Sequence, residues 1–246
     1  NFFLVTTEEA DATVRRAGWL YLLYSHVTIL GLFAFFTLQR WLTGELGFAL
    51  HPAGEGAGIR TALFLLALLA FGVKAGAMPL HSWLPSAHAS APSHVSAVMS
   101  GVVIKMGIYG LVRTTGSFVD PPIAWGVTLL ALGAVAAFFG VVFALAQHDL
   151  KRLLAYHSIE NIGIIVMGIG LAVVGRATHT PLLVVLGLGA AVLHVWNHAI
   201  FKASLFMAAG IIEHETGTRD MRRLGGLHRA MPITTRLAIV ASAAMA

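Results

Sequence analysis

The sequence predicts an all-α, polytopic transmembrane helix bundle in which one helix is discontinuous. Three observations carry that expectation. The chain is apolar throughout, with 57% of its 246 residues hydrophobic, 11% charged and a mean hydropathy of +0.81, whereas soluble domains carry about 25% charged residues. Apolar stretches of the length that crosses a bilayer, about 20 residues, recur from one end to the other. One of them, around Lys74, is interrupted by Ala75-Gly76-Ala77-Met78-Pro79 in mid-span.

Taken in order, residues 1–5 read as the tail of a preceding helix. Full spans are expected near 18–38, 61–88 (interrupted), 93–115, 123–146, 152–174 and 181–212, and a further helix starts at Pro232. Pro121-Pro122, Pro181 and Pro232 stand at helix starts, where a residue without an N–H loses no helical bond. The 181–212 stretch exceeds one crossing, so it must tilt, kink near Gly187 and Gly189, or project from the bilayer. The longest connections are 39–60 and 213–231. The chain opens and closes inside apolar runs, so residues 1–246 read as one transmembrane domain and an internal piece of a longer protein.

The loop cations give an orientation. Arg15, Arg16, Lys151, Arg152, Arg219, Arg222, Arg223 and Arg229 fall on one side, against Arg40, Arg60, Arg113 and Arg176 on the other. The positive-inside rule places the larger set in the cytoplasm, and the multi-pass chain in the cell inner (plasma) membrane. Nearly every loop cation is arginine, whereas Lys74, Lys105 and Lys202 lie inside spans. An arginine stays protonated, while a buried lysine can exchange its proton. Lysine is the residue to bury where protons come and go.

A lysine at mid-span costs roughly 2.5–3.5 kcal/mol on insertion scales, which makes each one a functional candidate. Lys74 sits just before the break, where the carbonyls closing the first half-helix favour a cation. His81, in the second half, either bridges Lys74 to Lys105 or donates to a freed carbonyl. Lys105 lies on a helix with Ser96 and Ser100, which are small enough to admit water or another helix, and no break is expected beside it. His194, His198 and Lys202 are spaced four apart and share one helix face, a ladder of about 12 Å. His157, Glu160 and Asn161 line another face, and Glu160 is the one acid clearly within a span. It either counters a buried lysine or clamps the cytoplasmic end. His26 reads as structural packing, His88 and His94 as helix caps, and Asp149-Leu150-Lys151-Arg152 as a charged helix start and interface anchor.

Other chemistries are not supported. With no cysteine, disulfides, thiolate-held iron–sulfur clusters and c-type haem are excluded. His194-x3-His198 has ligand spacing but no adjacent glutamate and no third ligand, and Lys202 one turn beyond disfavours a porphyrin. No cofactor or metal is therefore expected. The net charge of +5 and pI near 10 come without a soluble basic face, so nucleic acid is not an expected partner.

Three stretches carry a resemblance: 74–85 (KAGAMPLHSWLP), 149–163 (DLKRLLAYHSIENIG) and 197–206 (NHAIFKASLF). They resemble the antiporter-like membrane subunits of respiratory complex I and of multisubunit cation/proton antiporters. The version AHSIENIG looks most like the large membrane subunit of group 4 hydrogenases and formate hydrogenlyase. The resemblance implies an inverted-repeat antiporter-like fold of which this chain is a fragment, each repeat holding one broken helix. It implies that Lys74 is the lysine of the first broken helix, that Lys105 is a second relay position, and that His198 and Lys202 link two half-channels. The glutamate partnering Lys74 is expected upstream of Asn1, and the exit-side charged residue beyond Ala246.

The implied function is translocation of protons, or of Na⁺ in their place, by a non-catalytic subunit of a redox-driven complex, through Lys74, Lys105, His198 and Lys202 with His194, Glu160, His157 and His81 in support. The implied partners are other membrane subunits, a peripheral redox module and the lipid bilayer. The alternatives are a passive scaffold docking a hydrogenase or dehydrogenase, and a redox-independent cation/proton antiport or bicarbonate-uptake subunit.

Overall fold

A computed structural model describes residues 2–7, 11–52 and 56–245. Eleven α-helices follow in order among them: α1 Phe2–Val5, α2 Ala12–Thr43, α3 Ala57–Ala75, α4 Trp83–Ser90, α5 Ser93–Val98, α6 Lys105–Ser117, α7 Ile123–Leu145, α8 Leu150–Ala177, α9 Pro181–Thr216, α10 Leu227–Ala230 and α11 Pro232–Met245. A π-helical turn, Met99–Val103, joins α5 to α6 into one span. Six spans result, Ala12–Thr43, Ala57–Ala75, Ser93–Ser117, Ile123–Leu145, Leu150–Ala177 and Pro181–Thr216, each long and apolar enough to cross a membrane.

The break after α3 is built by its sequence. Gly76 takes a left-handed φ of 71° and caps the helix through the carbonyls of Gly72 and Val73, the conformation glycine adopts without a Cβ penalty. Trp83, four residues past Pro79, adds its indole N–H to the same Val73 carbonyl at 3.0 Å. The buried Trp83 ring meets Tyr21 of α2 edge-on, so α4 stays seated against α2. Proline starts helices as expected: Pro122 flanks α7, and Pro181 and Pro232 open α9 and α11.

One local expectation changes and another becomes more specific. The span around Lys105 is not a plain α-helix, because the π-turn lies immediately before that lysine. The 181–212 region is uninterrupted: α9 is one helix of 36 residues, about 54 Å long. Gly187 lets α9 approach α8, since a Cβ there would lie 2.7 Å from Ala172 N and from Gly168 O, while Gly189 faces open space.

The two ends of the bundle are closed by polar clamps. At one, Arg60 donates to the carbonyls of Val119 and Asp120, and Arg176 to those of Thr115 and Phe118. At the other, Arg219 pairs with Asp149 at 3.1 Å and donates to Ala89 O at 2.6 Å. There, too, Lys151 pairs with Glu213 at 2.8 Å, and the Arg222 guanidinium beside Asp220 holds that carboxyl down at about 2. Asp149 is the N-cap of α8, but Lys151, read from sequence as part of an interface anchor, is buried.

Candidate functional site

α9 supplies the spine of the site. His198, Lys202 and Phe206 are spaced four apart and all are fully buried, so they form one inward stripe. His194 continues it, half-buried, one turn earlier. Lys202 donates from Nζ to the Leu154 carbonyl of α8 at 3.0 Å. The ring of His198 stands edge-on to Phe201 and runs roughly parallel to that of His194, with centroids 6.4 Å apart.

α8 supplies the facing polar groups. His194 Nε2 meets Asn161 Oδ1 at 2.8 Å, Asn161 donates back to the His157 carbonyl at 2.7 Å, and His157 Nδ1 meets Glu160 Oε2 at 2.6 Å. Glu160 is half-buried on the same helix. Its ion pair is with His157 on that helix.

α5 and α6 complete the seam. Lys105 donates to the carbonyl of Ser100 within the preceding π-turn. Ser100 Oγ meets Ser158 Oγ of α8 at 2.9 Å, and Ser158 Oγ donates to Leu154 O at 3.0 Å, the same carbonyl that receives Lys202. The carbonyls that hold the two lysines are thus linked through one pair of serine hydroxyls. Ser96 donates to the His88 carbonyl, so both serines on this helix bond to neighbouring segments. Neither Lys105 nor Lys202 has an ion pair among the described residues.

The structure therefore brings Lys105, His194, His198, Lys202, Glu160 and His157 into one buried region. Lys74 stands apart, half-buried, without a hydrogen bond or ion pair among the described residues. Its helix nonetheless reaches the seam: Gly107, two residues past Lys105, lies against the backbone of Phe71 and Ala75 with no room for a Cβ. His81 stays in the break against the backbone of Pro79 and does not bridge the two lysines. His26 bonds its own helix at the Leu22 carbonyl, 2.8 Å away. His94 is exposed on α5, but His88 is not a cap: it is fully buried and stacks on Phe206. Sequence reading missed His88 and Ser158, because neither repeats at a spacing that singles it out. Among the described residues no group of three or more His, Cys, Asp or Glu is arranged to hold a metal ion.

Apolar spans, one of them broken, around a buried row of amines and imidazoles define a multi-pass membrane protein of the antiporter-like class. The chain belongs to the NADH:quinone oxidoreductase/Mrp antiporter transmembrane family, whose model matches residues 1–246. Hydrogenase-4 component B of Escherichia coli K12 is 44% identical over 245 residues, covering 98% of this chain and 36% of that protein. Formate hydrogenlyase subunit 3 of the same organism is 43% identical over 184 residues, covering 75% of this chain and 30% of that one. The fold superposes on a chain of the Mrp complex from Dietzia sp. DQ12-45-1b with a TM-score of 0.85 and 25% identity, over 96% of this chain and 42% of that chain. The chain thus spans about a third of the length of the curated relatives it matches.

Proposed function

We propose that this chain is the core of a proton-translocating membrane subunit in a redox-driven complex of the hydrogenase-4/formate hydrogenlyase or NADH:quinone oxidoreductase type. The observation that carries the proposal is the state of the two innermost amines. Lys105 and Lys202 are buried and are held by backbone carbonyls with no carboxylate paired to either among the described residues. A carbonyl accepts a hydrogen bond from an ammonium or a neutral amine alike, so such a lysine is free to change charge; a carboxylate would fix it. A charge arriving on one lysine raises the cost of charge on the next, and that coupling drives the proton along the row. Glu160 with His157 and His194 forms its acidic flank. Lys74, on the broken helix and one packed contact from α6, is the outer member, with His81 behind it.

The test uses the full-length protein in its complex, reconstituted into vesicles containing a pH-sensitive dye, with an imposed membrane potential. Lys105→Ala and Lys202→Ala are expected to lower proton flux at least tenfold while the complex still co-purifies. Wild-type flux in both variants refutes the relay. A scaffold with lysines frozen in ion pairs predicts the opposite pattern: Lys→Arg tolerated and Lys→Ala unassembled. The absence of a carboxylate partner for either lysine among the described residues weighs against it. Repeating the assay with a Na⁺ gradient separates the two ions.

A further inference from the structure

His88 lies in the last turn of α4, fully buried, its ring stacked on Phe206 with centroids 4.5 Å apart and planes 16° apart. Phe206 follows Lys202 by four residues on α9, so the ring that His88 stacks on lies one helical turn from that lysine on the same helix face. Neither ring nitrogen has a hydrogen-bond partner among the described residues. The cations whose charge reaches it come from three elements: Lys202 from α9, Lys105 from α6 and Lys151 from α8, the last paired with Glu213.

The outer side of the same turn of α4 borders a different environment. Ser86, Ala89 and Ser90 line a polar cavity of about 1260 Å³ at the basic end of the bundle, together with Lys151 and Glu213. That is the cytoplasmic end by charge bias. His88 thus lies between this cavity and the middle of the seam. Stacking on Phe206 is served as well by a phenyl ring. What an imidazole adds is one nitrogen that takes a proton while the other gives one up.

Building on the relay proposed above, we propose that His88 is the proton link between the cytoplasmic cavity and the Lys202–His198 pair. A proton from cytoplasmic water adds to the free nitrogen of the neutral imidazole. The imidazolium then releases the proton on its other nitrogen to the neutral amine of Lys202, and the ring returns to neutral. Only N–H bonds form and break, and no electron changes hands.

The vesicle assay with the full-length complex tests this through His88→Phe, which keeps the stack, and His88→Gln, which keeps hydrogen bonding without taking up a proton. Both are expected to assemble and to lose proton flux at least tenfold, and added imidazole is expected to restore flux in His88→Ala. Wild-type flux in His88→Phe or His88→Gln, with Lys202→Ala inactive beside them, overturns the link and leaves the relay standing. Wild-type flux in Lys202→Ala overturns the relay itself. Should His88→Phe fail to assemble, His88→Ala decides, and a loss that imidazole does not restore overturns the link. Loss of assembly in all three variants assigns His88 to packing and overturns it as well.

Discussion

At the scale of single residues, the site is governed by how buried polar groups find partners. Lys105 and Lys202 never touch, yet their acceptors are joined by Ser100 and Ser158. Since Ser158 donates to Leu154 O, the hydroxyl of Ser100 is left to donate to Ser158. Removing one hydroxyl strands the other, and a buried unsatisfied group costs about 1–3 kcal/mol. Ser158→Ala is expected to lower thermal stability by that order, and the double change Ser100→Ala with Ser158→Ala by less than the sum of the singles. A double-mutant cycle on the full-length protein in detergent reads this directly. The sequence offered Lys105 and Lys202 by their rarity. It offered Ser100 only as a small residue and did not offer Ser158, because a hydroxyl on an apolar helix is unremarkable until a second one faces it.

At the scale of elements, glycines decide which helices can approach. Gly126, Gly133 and Gly140 recur every seven residues on α7 and face α8, where Gly163 and Gly170 return the same spacing. A Cβ on Gly133 would lie 2.6 Å from Gly163 O, and one on Gly163 would lie 2.6 Å from Ala137 N. Small residues at such a crossing let backbones pack directly, the main attraction between helices within lipid. Gly140 meets the backbone of Glu160, so this rail also fixes where the seam's one acid stands. Gly163→Val is expected to abolish assembly, because the clash is with backbone that cannot rotate away. Gly189→Ala, in open space, is expected to leave stability unchanged or raise it by a few tenths of a kcal/mol. Thermal unfolding and co-purification yield compared side by side distinguish the two positions. Both glycines lie in helices of high hydropathy, and the sequence named Gly187 and Gly189 together as one place where α9 could bend, without separating the contact at Gly187 from the open surface at Gly189.

At the scale of the whole molecule, the cations separate into two closed ends, one tied by Arg60 and Arg176 and the other by Lys151 and Arg219. The first set matches the poorer side of the charge count and the second the richer side, so topology and packing agree. Cysteine placed at Gly225 in the full-length protein is expected to react with an impermeant maleimide only from the cytoplasmic face. Cysteine at Gly47 is expected to react only from the opposite face. Neither position has another group within 4 Å of its would-be Cβ, so labelling reports topology rather than burial. Labelling of both from one face would invert or abolish the orientation.

The sequence by itself determined the spans, the broken helix and the side that holds the basic residues, because each follows from local hydropathy, backbone propensity and charge count. Only the tertiary structure decided that Lys105 and Lys202 share a serine bridge, that His88 turns inward onto Phe206, that Lys74 stands apart from the seam, and that the span before Lys105 contains a π-turn. Those facts depend on which faces of distant segments meet, and on which carbonyls are left to accept a bond once the helices have closed.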